Sequence, residues 1–336
     1  MRDMTPATGT PASPDWGVET GAKVGMHRDD FGDARWSYLY KDDTAYATGR
    51  RARGELPPLG EVAPGMMKAP VWTWEVPVYF WFGGIASGSA FVALACDLAG
   101  DHRSAKAARI VSLGALVPCP PLLVMDLGRP ARFLNMLRIF KPRSPMSMGA
   151  WALTVFGTLG AGAVGADLLG QERLARSLGA ANGVVGGYLG SYTGVLLAST
   201  AVPLWARSRA FLGPIFIATA TATGAAAVRL VLFGAPESTL KALGHVQAGA
   251  MGAELALSTV NERRLQRFAA PLHNSPRMKW AKRLVNAGFA LQALKQPRAA
   301  ALTYLAAGLL FRYAWVQAGP ISARDDAAVA ALSRSP

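Results

Sequence analysis

Along most of this chain apolar and polar positions do not alternate with the period of a strand or a surface helix; they come in blocks. Uncharged runs fill residues 76–96, 146–166, 177–206 and 210–228. Each meets or approaches the roughly 20 residues that cross about 30 Å of hydrocarbon as a helix. The pattern predicts eight spanning helices, near 76–98, 107–126, 147–169, 178–203, 211–233, 240–260, 279–295 and 299–318. Pro118, Pro120 and Pro121 interrupt the second. Such a break is tolerated where neighbouring helices or a water-lined cavity satisfy the freed backbone groups. In the seventh only residues 284–294 are free of charge, behind Arg277, Lys279, Lys282 and Arg283, so a helix lying in the interface is the alternative there. The fold class expected is an all-α integral membrane protein.

Composition agrees with the blocks: 51% of residues are hydrophobic and 17% charged. A net charge of +14 would suit a nucleic-acid partner, but the basic residues gather in short loops between apolar runs, which excludes that class. From residue 50 onward the side shared by the termini collects twenty Lys and Arg against eight opposite, so both termini are expected in the cytoplasm. The two richest basic loops follow the second and sixth helices, the same place in each half of a protein built from two four-helix units. The first apolar run starts only near residue 76, so no secretory leader is expected. Residues 1–70 read as a polar extension whose aromatic stretch, with Trp36, Tyr38 and Tyr40, is either a partner-docking segment or part of a flexible tail.

Charge set close to hydrocarbon is expensive, so it faces protein, water or a ligand. That directs attention to the joint running from Met125, Asp126, Leu127, Gly128, Arg129 and Pro130 to Arg132 and Phe133. Asp126 beside Arg129 and Arg132 is either a structural ion pair or a proton uptake point next to a redox ligand. Glu75 opens the first helix among Trp72, Trp74 and Tyr79. Tryptophan and tyrosine there are ordinary interfacial anchors, yet anchors need no carboxylate. Glu75 with Tyr79 would suit a quinone headgroup, which needs hydrogen-bond partners and a proton donor beside an apolar slot. Gly83, Gly84 and Gly88 permit close helix approach. His245 and Glu254 sit nine residues apart in the sixth helix, on nearly opposite faces; either is a candidate for a proton path, or a lone polar group bonded to a neighbouring helix. Arg229, near the end of the fifth helix, is expected to snorkel. His245 is the single histidine in a span, which leaves no pair for a haem. Cys96 and Cys119 have neither iron–sulfur nor zinc spacing and read as small buried hydrophobes, so no cofactor metal is expected in this chain.

These motifs together resemble the membrane-subunit family of polysulfide and nitrite reductases, the NrfD/PsrC type. The resemblance rests on Trp72–Gly88 with Pro77, on the Asp126 to Phe133 joint, and on Ser144, Pro145, Met146 and Ser147 with Gly149 and Trp151. Tyr192 to Leu197 and Pro203 to Trp205 complete it. It covers about residues 70–210. The resemblance implies two four-helix bundles, here 71–205 and 206–320, with a tail at 321–336. It implies a menaquinone or ubiquinone site in the first bundle, carried by Glu75, Tyr79, Asp126, Arg129, Ser147 and Trp151. It also implies no redox centre of the chain's own, a ferredoxin-like iron–sulfur partner and a molybdopterin-type catalytic subunit. Two rival readings are an ion-coupled secondary transporter, using Glu254 and His245, and a purely structural membrane anchor.

Overall fold

The structure is a computed structural model that describes residues 67–127 and 137–333. Residues 70–322 form one compact unit. Its helices are α1 (Glu75–Leu98), α2 (His102–Leu116), α3 (Cys119–Leu127), α4 (Pro145–Leu168), α5 (Glu172–Ala198) and a short α6 (Pro203–Arg207). Then follow α7 (Arg209–Val231), α8 (Glu237–Leu265), a 3₁₀ turn, α9 (Ala270–His273), α10 (Pro276–Ala293) and α11 (Pro297–Ala323). The described residues contain no strand. Beyond that unit, helix α12 (Asp326–Ser333) is capped by Asp325, which accepts from Ala328 N at 3.0 Å. The aromatic stretch at 31–46 and Arg129 and Arg132 lie outside the described residues.

Every expected span falls on a helix, and the expected break is there: α2 stops at Leu116 and α3 restarts at Cys119. Pro120 and Pro121 then occupy the first turn of α3, where a missing N–H breaks no helical bond. Five segments are long and apolar enough to cross a bilayer: α1, the α2–α3 pair, α4, α7 and α11. The other long helices, α5, α8 and α10, are less apolar along their length. The protein is a multi-pass, all-helical membrane protein.

The turns on one side of the bundle share a construction. Gly100, Gly170 and Gly234 take positive φ after α1, α4 and α7, and Lys295 does so after α10. Asp101 N and Gln171 N reach back to Cys96 O and Ala166 O at 2.8 Å, closing α1 and α4 with a left-handed residue. On the other side, Ser144 and Ser275 cap α4 and α10, each with proline at the first helical position.

The interior is set by α1 crossing α7. A Cβ on Gly88 would collide with the Ala220 carbonyl, and one on Gly224 with the backbone of Gly88 and Ser89. Only paired glycines allow backbones to approach so closely. Gly83, expected to serve the same purpose, has nothing within 4 Å of its Cβ position. The guanidinium of Arg229, in the last turn of α7, donates to the carbonyl of Leu240 at the start of α8.

Candidate functional site

The start of α1 presents Glu75, Val76, Tyr79 and Phe80 on one face, because residues three and four apart lie above one another on a helix. Opposite them stand Leu122, Leu123 and Asp126 of α3, Met146, Gly149 and Ala150 of α4, and Tyr192 and Leu196 of α5. Trp72 closes one side. The result is a narrow slot, with about 660 Å³ of empty space when its open mouth is included. Its walls are mainly apolar, and its polar groups are two carboxyls and two phenols.

Each of those groups is positioned differently. Glu75 accepts from the Thr73 hydroxyl. Tyr79 is 7% exposed, and its ring packs 5.7 Å from that of Phe80. Tyr192 donates to the Pro145 carbonyl at 2.6 Å, tying α5 to the first turn of α4. Gly149 makes this possible, since any Cβ there would enter the Tyr192 ring. Asp126, in the last turn of α3, is half-buried. Among the described residues no hydrogen bond reaches the Tyr79 hydroxyl or the Asp126 carboxylate, although both line the slot. Such groups are the ones available to a ligand. Trp72 is held by stacking on Trp205, with centroids 5.0 Å apart and planes 20° off parallel. Trp205 in turn donates to Trp315 O at 3.0 Å.

Of the residues singled out in the sequence, Glu75, Tyr79 and Asp126 meet in the slot. Ser147 and Trp151 lie beside it without lining it. The Ser147 hydroxyl accepts from Lys141 N at 3.0 Å and donates to Ile139 O at 3.2 Å, so it pins the connection entering α4. Trp151 stands edge-on to Phe140 at 5.9 Å, and its buried Nε1 has no hydrogen-bond partner among the described residues. Arg129 is outside the described residues. Tyr192 and Trp72 were not expected as site residues; the run Ser191, Tyr192, Thr193 and Gly194, with a phenol amid small residues, was the available signal.

His245 and Glu254 do not meet. His245 is exposed, whereas Glu254 is 5% exposed and accepts from Ser258 Oγ at 2.7 Å. Glu254 lines a separate small cavity with Thr219, Met251, Phe311 and Lys282. Lys282 Nζ contacts both Glu262 oxygens at 2.8 Å, and Glu262 reaches His273 at 3.0 Å. Among the described residues no group of three or more His, Cys, Asp or Glu side chains gathers as a metal site.

A family model described as "Polysulphide reductase, NrfD" matches residues 62–248, more than half of the chain. The chain belongs to the NrfD family. Membership makes it a membrane subunit of the kind found in respiratory oxidoreductase complexes. The NrfD match covers every residue of the slot and stops short of Glu254. No individual curated protein matches the chain.

Proposed function

We propose that this NrfD-family chain is the quinone-interacting subunit of its complex, passing electrons between a bound ferredoxin-like iron–sulfur subunit and menaquinone or ubiquinone. A molybdopterin-type subunit carries out the complex's other half-reaction. One observation carries the reading: in the slot, the Tyr79 hydroxyl and the Asp126 carboxylate have no hydrogen-bond partner among the described residues and line a mainly apolar space. A quinone needs this combination of a flat apolar slot, a donor for its oxygens and a group that exchanges protons. When bound, a quinone supplies two-electron, two-proton redox chemistry. In this reading Tyr79 orients by donating from its hydroxyl, and Asp126 holds the proton exchanged at its carboxylate. Glu75 is a second carboxyl beside it, and Tyr192, locked to Pro145, keeps the far wall in place. Ser147 and Trp151 act by shaping the entrance to α4, and Arg129, which the family pattern gives to the quinone site, follows Asp126 by three residues in the connection after α3.

Orientation follows from the charge of the loops. The termini and the basic connection after α3 are assigned to the cytoplasmic face of the cell membrane, where the iron–sulfur partner docks. Single cysteines at Thr10 and in the 129–145 connection should resist labelling by an impermeant reagent applied outside the cell. Labelling at both would reverse the orientation. Glu254, buried beside a cavity, is the stronger of the two proton-path candidates; exposed His245 is the weaker.

The decisive experiment is purification of the native complex in mild detergent, with quinone, iron and molybdenum analysis. Co-purifying quinone, and an Asp126→Asn complex that retains its metals but turns quinone over on the order of 100-fold more slowly, is the expected result. A complex without quinone whose turnover ignores Asp126→Asn would leave the structural anchor. A lone chain that moves an ion or solute in liposomes would establish the transporter.

A further inference from the structure

The break in the second span leaves a groove between α2–α3 and α4, with about 910 Å³ of empty space counting its open side. Pro118 separates the two helical pieces, and Leu116, Pro120 and Leu123 form one wall. Gly157 keeps the other wall low, since a Cβ there would come within 3.2 Å of Leu116 Cδ2. Two of the groove's residues, Leu123 and Ala150, also line the slot, so these side chains border both spaces.

Chemistry changes along that path. The slot holds carboxyls and phenols. In the groove the hydroxyls belong to Thr154 and Thr158, and they donate to Ala150 O and Thr154 O on their own helix at 2.9 Å. What remains exposed is hydrocarbon. The groove follows α4 from Ala150 to Ala161, about 16 Å at the rise of an α-helix, or about half the apolar thickness of a bilayer. Thr154, Thr158 and Ala161 are exposed, so its open side faces lipid in a membrane-spanning chain.

We propose that this groove is the tail site of an amphiphilic ligand: it takes the polyprenyl tail of the quinone whose headgroup the slot binds. The proposal rests on the quinone reading above. The occupant is fixed by continuity. A chain leaving the slot past Leu123 and Ala150 enters the groove without crossing a polar group, and it stays within hydrocarbon throughout. An unconnected phospholipid acyl chain is the competing occupant.

The assembled complex in proteoliposomes tests this with two quinones of one headgroup, one bearing a tail of several isoprene units and one without a tail. Thr158→Trp and Ala161→Phe add bulk at exposed groove positions and leave the core untouched. Each variant is expected to lose on the order of tenfold in kcat/KM with the tailed quinone and to match the wild type with the tailless one, at unchanged thermal stability. Unchanged kinetics with the tailed quinone would overturn the tail site, including where co-purifying phospholipid is lost. Equal losses with both quinones would overturn it too. A wild-type complex that turns over neither quinone would instead remove the quinone reading, and the tail site with it.

Discussion

Arg109 donates from Nε to the Asp167 carboxylate at 2.6 Å, and both side chains are more than nine-tenths buried. The same guanidinium reaches Asp97 from Nη1 at 2.5 Å, so one cation of α2 binds the last turns of α1 and α4. Each aspartate lies just ahead of the positive-φ glycine that ends its helix, Gly100 or Gly170. Charge and chain reversal are thus fixed at the same corner, at the end of α1 remote from the slot.

Removing that guanidinium leaves the buried Asp167 carboxylate without its ion-pair partner and Asp97 with only His102, at 3.2 Å. Arg109→Met should therefore destabilise the protein by about 3–5 kcal/mol, the usual cost of breaking a buried pair from one side. Arg109→Lys should recover only part of this, because an ammonium cannot reproduce the forked contacts to two helices. Thermal unfolding in detergent reads both. Quinone affinity of the surviving folded fraction should stay as in the wild type, since the slot lies at the other end of α1.

The glycines of α1 separate by function. Gly88→Ala should lower stability by about 1–3 kcal/mol or prevent assembly, as its Cβ has no place against Ala220 and Gly224. Gly83→Ala, with open space at its Cβ, should be neutral or stabilising by up to about 1 kcal/mol through helix propensity. Paired melting curves of the two variants check the contrast, and equal destabilisation would contradict the crossing geometry.

What could be read from sequence divides along the same line. Blocks of apolar residues placed the helices, because hydrocarbon thickness sets their length. The spacing of Glu75 and Tyr79 put them on one face, because that follows from the period of a single helix. Contacts between helices were not legible. Nothing in the sequence joins Arg109 to Asp167, or Tyr192 to Pro145, since those depend on where rods cross. Ser147 fits the family pattern by position, yet its hydroxyl is spent on the backbone of the preceding connection.

At the α1–α2 corner, Asp101 caps α2 by accepting from Ser104 N at 3.1 Å and also accepts from Thr239 Oγ1 at 2.6 Å, which links the start of α8 to the turn. Burial works to raise its carboxyl pKa, but the bonds from Ser104 and Thr239 and the nearby His102 outweigh it, and the group sits below the usual carboxylate range. A depressed folded value means the carboxylate stabilises the fold at any pH above its unfolded value of about 3.9. That contribution disappears as pH falls through the lower folded value. Asp101→Ala should cost about 1 kcal/mol at neutral pH. The difference between its melting temperature and that of the wild type should close only in strong acid, which a melting series from pH 7 down to about pH 3 would follow.

Gly149 and Tyr192 connect packing to the slot. The Tyr192 ring occupies the space a Cβ on residue 149 would need, and its hydroxyl holds the carbonyl at the start of α4. Gly149→Ala must push the ring aside, breaking that hydrogen bond and moving a wall of the site. The expected cost is about 1–3 kcal/mol in stability together with weaker quinone binding. Tyr192→Phe removes only the hydroxyl and should cost about 1 kcal/mol, with a smaller effect on binding. Combining Gly149→Ala with Tyr192→Leu separates the two causes. If the clash is what matters, the double variant should be more stable than Gly149→Ala alone, because the smaller side chain vacates the space. Strictly additive losses in that cycle would show that the ring and the glycine do not act on one another.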